Sequence, residues 1–393
     1  MARRMEEVQS PIIPIIGELT RRYPGTISLG QGVVYYGPPP QAIAAIQDFL
    51  SHPQNHKYQL VQGIPTLVEG LQEKLRRENG IVIGGGHADP AQVNRLCVTA
   101  GGNMAFVNAV LAITDPGDEI ILLPPCYFNH EMAVRMCDCL PVLVPVDERF
   151  QPAPEKIRQA ITPKTRAVVT VSPNNPTGAV YPEAALREIN RLCREHGIYH
   201  IHDEAYEYFT YGATPHFSPG SIADAAGHTI SLFSFSKAYG FASWRIGYMV
   251  FPAHLEVSIK KIQDTILICP PVISQYAAAG ALQAGAVYCR EKRREIEAVR
   301  ALLLEELGRL GNLGGVVETE GAFYFLLHLD TERDDLELAM RLVEEHGVAV
   351  IPGKAFNIAQ GRYLRLSYGA LQQESAAEGI RRLVKGLQAL LGG

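Results

Sequence analysis

Apolar and polar positions alternate along this chain in two rhythms. Short, almost wholly apolar runs are separated by longer stretches in which apolar residues recur every third or fourth place, the pattern of buried strands alternating with amphipathic helices. The runs predict strands over residues 95–99, 119–123, 140–145, 166–171, 198–202, 229–233 and 246–251. Helices are predicted between several of them, over 103–113, 127–136 and 182–196, the last opened by Pro182 and closed by Gly197 in the order helix punctuation favours. Strand and helix taken in turn build a mainly parallel sheet with helices on its faces, so the chain is predicted to be α/β.

The rhythm changes near residue 274. From 274 to 310 the pattern is long and helical, and the charge run Arg290-Glu291-Lys292-Arg293-Arg294-Glu295 reads as a solvated helix face leading into a second domain. Strands at 316–318, 323–329, 348–351 and 363–367, with helices at 336–345 and 374–391, predict a smaller α+β domain. The expected organisation is an N-terminal arm with part of the small domain (1–45), a large domain (46–285) and a small C-terminal domain (286–393). Pro11, Pro14 and Gly17 mark an arm packed on the small domain or on a partner, and Gly84-Gly85-Gly86 an exposed, mobile loop.

At 393 residues the chain is long enough for more than one core. Its net charge of -5 gives no footprint for nucleic acid or an anionic membrane. No stretch approaches the ~20 apolar residues of a membrane span. No apolar run follows the basic start at Arg3-Arg4, so no secretory leader is expected and the location is read as cytoplasmic. Seven cysteines with one close pair, Cys137 and Cys139, suggest reduced thiols rather than a disulfide framework. His200 and His202 share one side of a strand without an apparent third ligand, so they are read as structural and no metal is expected.

Candidate chemistry gathers at the ends of the predicted strands. Lys237, in Ser234-Phe235-Ser236-Lys237, is the only basic group before Arg245 in an apolar and hydroxylic segment. Partial burial would lower its pKa and free the amine to attack a carbonyl; the other reading is a lysine that merely ends a strand. Thr99-Ala100-Gly101-Gly102-Asn103 runs from a strand into a helix, which suits either a phosphate or a plain turn. In Ser172-Pro173-Asn174-Asn175-Pro176-Thr177-Gly178, an amide held by prolines is either a rigid donor to a ring oxygen or part of a simple turn. In His202-Asp203-Glu204-Ala205-Tyr206, a carboxylate at a strand end either faces a protonated ring nitrogen or caps a helix.

These four segments occur in the order found in the class I/II aminotransferases, the large pyridoxal-phosphate family of fold type I, which the chain resembles from about Ser28 onward. The resemblance implies a large domain built on a mainly parallel seven-stranded sheet and a smaller α+β domain. It implies that Lys237 forms the internal Schiff base with the cofactor aldehyde and later carries a proton at the substrate Cα. Asp203 would pair with the pyridine nitrogen, Asn175 and Tyr206 with the phenolic oxygen, and Tyr127 would stack on the ring. The Gly101-Gly102-Asn103 turn, Ser234, Ser236 and Arg245 would hold the phosphate, joined by Tyr58 of the other subunit, so a homodimer with shared active sites is expected. Arg365 would grip the substrate α-carboxylate beside Gly32 and Asn175. The implied reaction moves an amino group between an L-amino acid and a 2-oxo acid by a ping-pong cycle.

Three departures bear on the substrate. Ser243 stands where the family mostly has glycine, Val33-Val34-Tyr35-Tyr36-Gly37 replaces the usual acidic and aromatic loop, and Thr265-Ile266-Leu267-Ile268-Cys269 lacks the arginine of one aspartate-specific branch. The Ser243 change is small enough to be tolerated, and the neutral 265–269 segment speaks against a dicarboxylate. Leu29-Gly30-Gln31-Gly32 is similar to enzymes acting on kynurenine, glutamine or methionine, so the resemblance implies a neutral, aromatic or sulfur-containing amino acid. A C–S β-lyase of the same fold, a non-catalytic cofactor-binding regulator, and a serine hydrolase reading of Ser234-x-x-Lys237 are the alternatives. The last lacks the companion Ser-Asp-Asn and Lys-Thr-Gly motifs.

Overall fold

The computed structural model describes residues 2–9, 12–84, 92–358 and 362–392. In chain order its elements are α1 (Arg3–Glu7), α2 (Ile12–Arg22), β1 (Ile27–Ser28), α3 (Pro40–Ser51), α4 (Pro65–Lys74), β2 (Asn94–Thr99), α5 (Gly102–Ile113), β3 (Glu119–Leu122), α6 (Phe128–Met136), β4 (Leu140–Leu143), α7 (Pro154–Ala160), β5 (Thr165–Val171), α8 (Glu183–Glu195) and β6 (Tyr199–Asp203). They continue with β7 (Thr229–Ser234), α9 (Phe235–Ala238), β8 (Gly247–Pro252), α10 (Glu256–Leu267), α11 (Val272–Leu307), β9 (Gly314–Val316), β10 (Tyr324–Leu329), α12 (Asp335–His346), β11 (Val348–Ala349), β12 (Ile351–Pro352), β13 (Arg362–Ser367) and α13 (Gln373–Leu391). Pro11 and Gly85-Gly86, named above for the arm and the loop, lie outside the described residues.

All seven strands predicted before residue 252 form one sheet, in the order β2-β8-β7-β6-β5-β3-β4. Successive strand residues face opposite sides, and here both sides are buried: Ile120, Leu122, Ala167 and Val169 enter one cluster with Phe106 and Val134, while Ile121 and Val168 enter another with Leu186 and Ile189. This double burial keeps the β3 and β5 runs apolar, whereas the edge strand β4 leaves Leu140 and Leu143 exposed. β4, β3, β5, β6 and β7 are parallel, whereas β8 runs antiparallel to both β7 and β2. The C-terminal ends of β2, β3, β5, β6 and β7 therefore share one edge, and β8 alone brings its N-terminal end there.

A four-stranded antiparallel sheet, β12-β13-β10-β9, forms the second layer system, with α12 against β12 and β13, and α13 against α12 and the β1-β11 pair. Two expectations in this part need correcting. The strand predicted at 316–318 lies at Gly314–Val316, where it pairs with β10. The single strand predicted at 348–351 is two: Val348 and Ala349 pair with Ile27 and Ser28, while Ile351 and Pro352 pair with Arg365 and Leu364 in the other sheet. The run is uniformly apolar because it is buried throughout, but the chain changes partner sheet at Val350. The N-terminal arm splits as well, with α1 against α6, where Arg4 pairs with Asp138 at 2.6 Å, and α2 against α12.

Candidate active site

A cavity of about 450 Å³ lies where the shared edge of the large sheet faces β10 and β13. The parallel strands deliver its walls one by one. β2 leads through Ala100 into Gly101, whose φ of 85° suits glycine and whose Cβ, if it had one, would collide with the Arg245 guanidinium. That glycine starts α5 without a side-chain cap, which leaves the first-turn N–H groups without a side-chain acceptor, and Gly102 and Asn103 of that turn line the cavity. β7 ends in Ser234, whose Oγ accepts from Ser236 N at 3.1 Å and so starts α9, which carries Lys237. Because β8 runs backward, Arg245, just ahead of it, reaches the same edge.

Lys237 is partly buried, and its Nζ donates to Gly32 O at 2.6 Å. Burial, with the nearby Arg365 and Arg245 charges, pushes its pKa down from 10.5 to about 8, and Asp203 opposes this only in part. The carboxylate of Asp203 accepts from Ala205 N at 3.0 Å and lies 3.2 Å from His130 Nε2. His130 itself is clamped between Phe106, stacked with centroids 4.1 Å apart, and the edge of Tyr127. The Tyr127 hydroxyl donates to Asn103 Oδ1 at 3.2 Å and accepts from Asn129 Nδ2 at 2.7 Å.

On the opposite wall Arg365 is 1% exposed. It donates to Asn175 Oδ1 at 3.0 Å and to Gly30 O at 2.6 Å, and it lies between the rings of Tyr324 and Phe356. Its Nε is buried without a partner. Asn175 Nδ2 reaches the Tyr206 hydroxyl at 3.5 Å, which meets the Tyr324 hydroxyl at 2.8 Å. Burial raises the Tyr206 pKa well above 10, so it is a hydrogen-bond donor at neutral pH.

Of the residues singled out from the sequence, the cavity brings together Gly32, Gly102, Asn103, Tyr127, Asn175, Asp203, Tyr206, Ser234, Ser236, Lys237, Arg245 and Arg365. Gly101 stands just behind them. Tyr58 does not join them: it is 79% exposed, beside a separate surface hollow with Lys57 and Pro271. Sequence reasoning missed Tyr324, Ile13 and Phe128 among the lining residues, and His130, which stands behind the lining against Asp203. His130 carried a weak signal, one helical turn beyond Tyr127. Tyr324 and Ile13 carried none, since only the packing of β10 and α2 brings them near.

The His200 and His202 imidazoles meet at Thr170 Oγ1, 2.7 and 2.6 Å away, and burial lowers both pKa values, that of His200 to about 3. They are neutral members of the sheet interior. All seven cysteines are free thiols, six of them buried. Among the described residues no helix is long and apolar enough to cross a membrane.

Residues 24–383 match the profile of the family described as aminotransferase class I and II. Among curated relatives, the chain is 33% identical to an aromatic aminotransferase of Arabidopsis thaliana, covering 100% of this chain and 97% of that one. It is 39% identical to a probable aspartate/prephenate aminotransferase of Thermus aquaticus over 84% of each. Among solved structures it is similar to the Thermus thermophilus aspartate aminotransferase with maleate, at a TM-score of 0.86 and 35% identity over 98% of this chain and 99% of that one. The Ser-x-x-Lys hydrolase reading falls with these matches. This chain belongs to the class I and II aminotransferases, transaminases of the fold type I architecture whose family cofactor is pyridoxal 5'-phosphate.

Proposed function

We propose that this cavity binds pyridoxal 5'-phosphate and transaminates neutral amino acids, aromatic or sulfur-containing ones first. The observation that carries the reading is the amine of Lys237, partly buried and with its pKa brought down to about 8, facing an anion at Asp203 and cations at Arg245 and Arg365 across one cavity. The donor set fits the cofactor. An uncapped helix start and Arg245 suit a phosphate, Asp203 a ring nitrogen, Asn175 and Tyr206 a phenolic oxygen, and Tyr127 a ring face. Ser234 and Ser236 add hydroxyls on the phosphate side. When bound, the cofactor supplies a carbonyl that condenses with amines and a ring that draws electrons from the substrate Cα.

Asp203, braced by Ala205 N and His130, is fixed to hold a proton on the ring nitrogen. Arg365 is buried between two aromatic rings, and such a planar fork suits a carboxylate, so it orients the substrate with Gly32 and Asn175 beside it. With the amino group committed, Lys237 Nζ is the base placed to take the proton from the substrate Cα. Among the described residues of this chain, Lys237, Arg245 and Arg365 are the cations lining the cavity, and each has a task in this reading, which leaves none of them for a second carboxylate. Ile13, Val33 and Phe128 supply apolar wall instead. The match to an aromatic aminotransferase over the whole chain supports the same preference.

Two wider readings accompany this one. The exposed Tyr58 suits a homodimer in which it completes the partner's phosphate site, and the free thiols suit a cytoplasmic location. We also divide the chain near the bend at Gly285 and ahead of α3, because residue 45 lies inside that helix. The purified protein should be yellow, bleached by an amino acid and restored by a 2-oxo acid. Lys237→Ala should fold and take up cofactor yet lose turnover, and undiminished transamination by that variant overturns the reading. A donor screen should rank aromatic amino acids and methionine above aspartate.

A further inference from the structure

The end of β6 and the turn after it send side chains to opposite sides. Asp203 and Tyr206 enter the active-site cavity, whereas Glu204 and Glu207 enter the interior behind it. Both glutamates are held there. Lys74, 4% exposed, donates to the two Glu207 oxygens at 2.6 and 2.5 Å and to Asn79 Oδ1 at 2.8 Å, which uses all three ammonium protons. Glu204 Oε2 lies 2.8 Å from His216 Nε2 and accepts from Ser218. Asn79 joins the halves, donating to Glu207 Oε2 and to Ser218 Oγ, both at 2.9 Å. A π-helical turn at Leu75–Asn79 follows α4, the geometry in which residues five apart become neighbours, as Lys74 and Asn79 are. Lys74 also lies 4.9 Å over the ring of Phe233, on the strand that delivers Lys237.

We propose that Lys74 is a positioning residue of the active site: by fixing Glu207 it fixes the turn from Asp203 to Glu207, and with it the reach of Asp203 and Tyr206 into the cavity. This rests on the roles given to those two residues above. A buried ion pair adds little stability over an apolar pair of the same volume, so what it supplies is directional restraint. The pair thus belongs to the turn that follows β6, through Glu207, and touches β7 through Phe233. The rival occupant of the cluster is a metal, since ligand atoms of Glu204, Glu207 and His216 lie within 4.8 Å of one another and a second cavity of about 670 Å³ opens on Glu207 and His216. The ammonium of Lys74 already supplies the positive charge there.

The test compares wild-type holoenzyme with Lys74→Met/Glu207→Gln, which removes both charges and leaves no bare carboxylate, and with the isosteric Glu207→Gln. The pH midpoint of the cofactor absorption band is read alongside kcat/KM and metal content. The double variant should keep its cofactor, lose about 10- to 100-fold in kcat/KM, and show a midpoint raised by more than about half a unit, because a misplaced Tyr206 supports the ring anion less well. Glu207→Gln should move the midpoint the same way by less, and it decides the matter should the double variant not fold. Wild-type midpoint and turnover in the variants, even with a lower melting temperature, overturn the proposal. So does a stoichiometric divalent cation in the wild-type protein whose removal by chelator abolishes activity. A wild-type protein without a cofactor band fails the underlying reading first, before any variant is made.

Discussion

At Lys237 the fold holds an amine that is easier to deprotonate than in water. A pKa of about 8 leaves roughly a tenth of it as free base at pH 7, against under about a thousandth for an unperturbed lysine. The same shift has a thermodynamic face. Below pH 8 the lysine is charged in both folded and unfolded protein, and the folded state bears the full cost of hiding that charge. As pH rises from about 8 towards 10.5 the folded protein sheds the proton first, and the cost disappears. Cofactor-free Lys237→Met should therefore be more stable than the cofactor-free wild type at pH 7, by up to ~3 kcal/mol, with the gap closing by pH 10.5; denaturation across that range checks it. Lys237, Asp203 and Asn175 were legible in the sequence because each lies at or within a few residues of a strand end, inside a short motif. Tyr324 was not, since its hydroxyl meets Tyr206 across 118 residues of chain.

Helices and strands were legible wherever burial alone sets the pattern. The seven strands of the large sheet were located to within a few residues because each is a short run bounded by turn residues and most are covered on both faces, and the helix from 272 was seen as long. Its bend was not: Gly285 has φ 60° and ψ -165°, and a glycine within a helical pattern marks a bend only when packing demands it. The split of β11 from β12 was hidden for a related reason, since an apolar run carries no sign of which sheet each residue joins. α12 owes its start to Asp334, whose side chain accepts from Leu336 N and Glu337 N at 2.9 and 3.0 Å while pairing with Lys354. Asp334→Ala should cost about 1 kcal/mol, read as a lower denaturation midpoint at an unchanged slope.

The whole molecule is where assembly enters. Tyr58, Leu60, Ile266, Ile268 and Ile273 are exposed apolar groups, and Tyr58 and Ile273 flank the same surface hollow. If Tyr58 completes the partner's site, mixed dimers of Lys237→Ala and Tyr58→Ala chains contain one site with both residues intact. Mixing the two weakened variants should then restore activity, up to about half the wild-type value per mixed dimer; no gain on mixing would place Tyr58 outside the partner's site. The reversed strand β8 has a consequence at this scale. Ser234 and Gly247 face each other across β7 and β8, so the segment between them leaves and rejoins the sheet at one point. Lys237 and Arg245 thus ride on a single closed link. Any displacement of that link moves the Lys237 amine and the Arg245 guanidinium together, like two jaws on one frame.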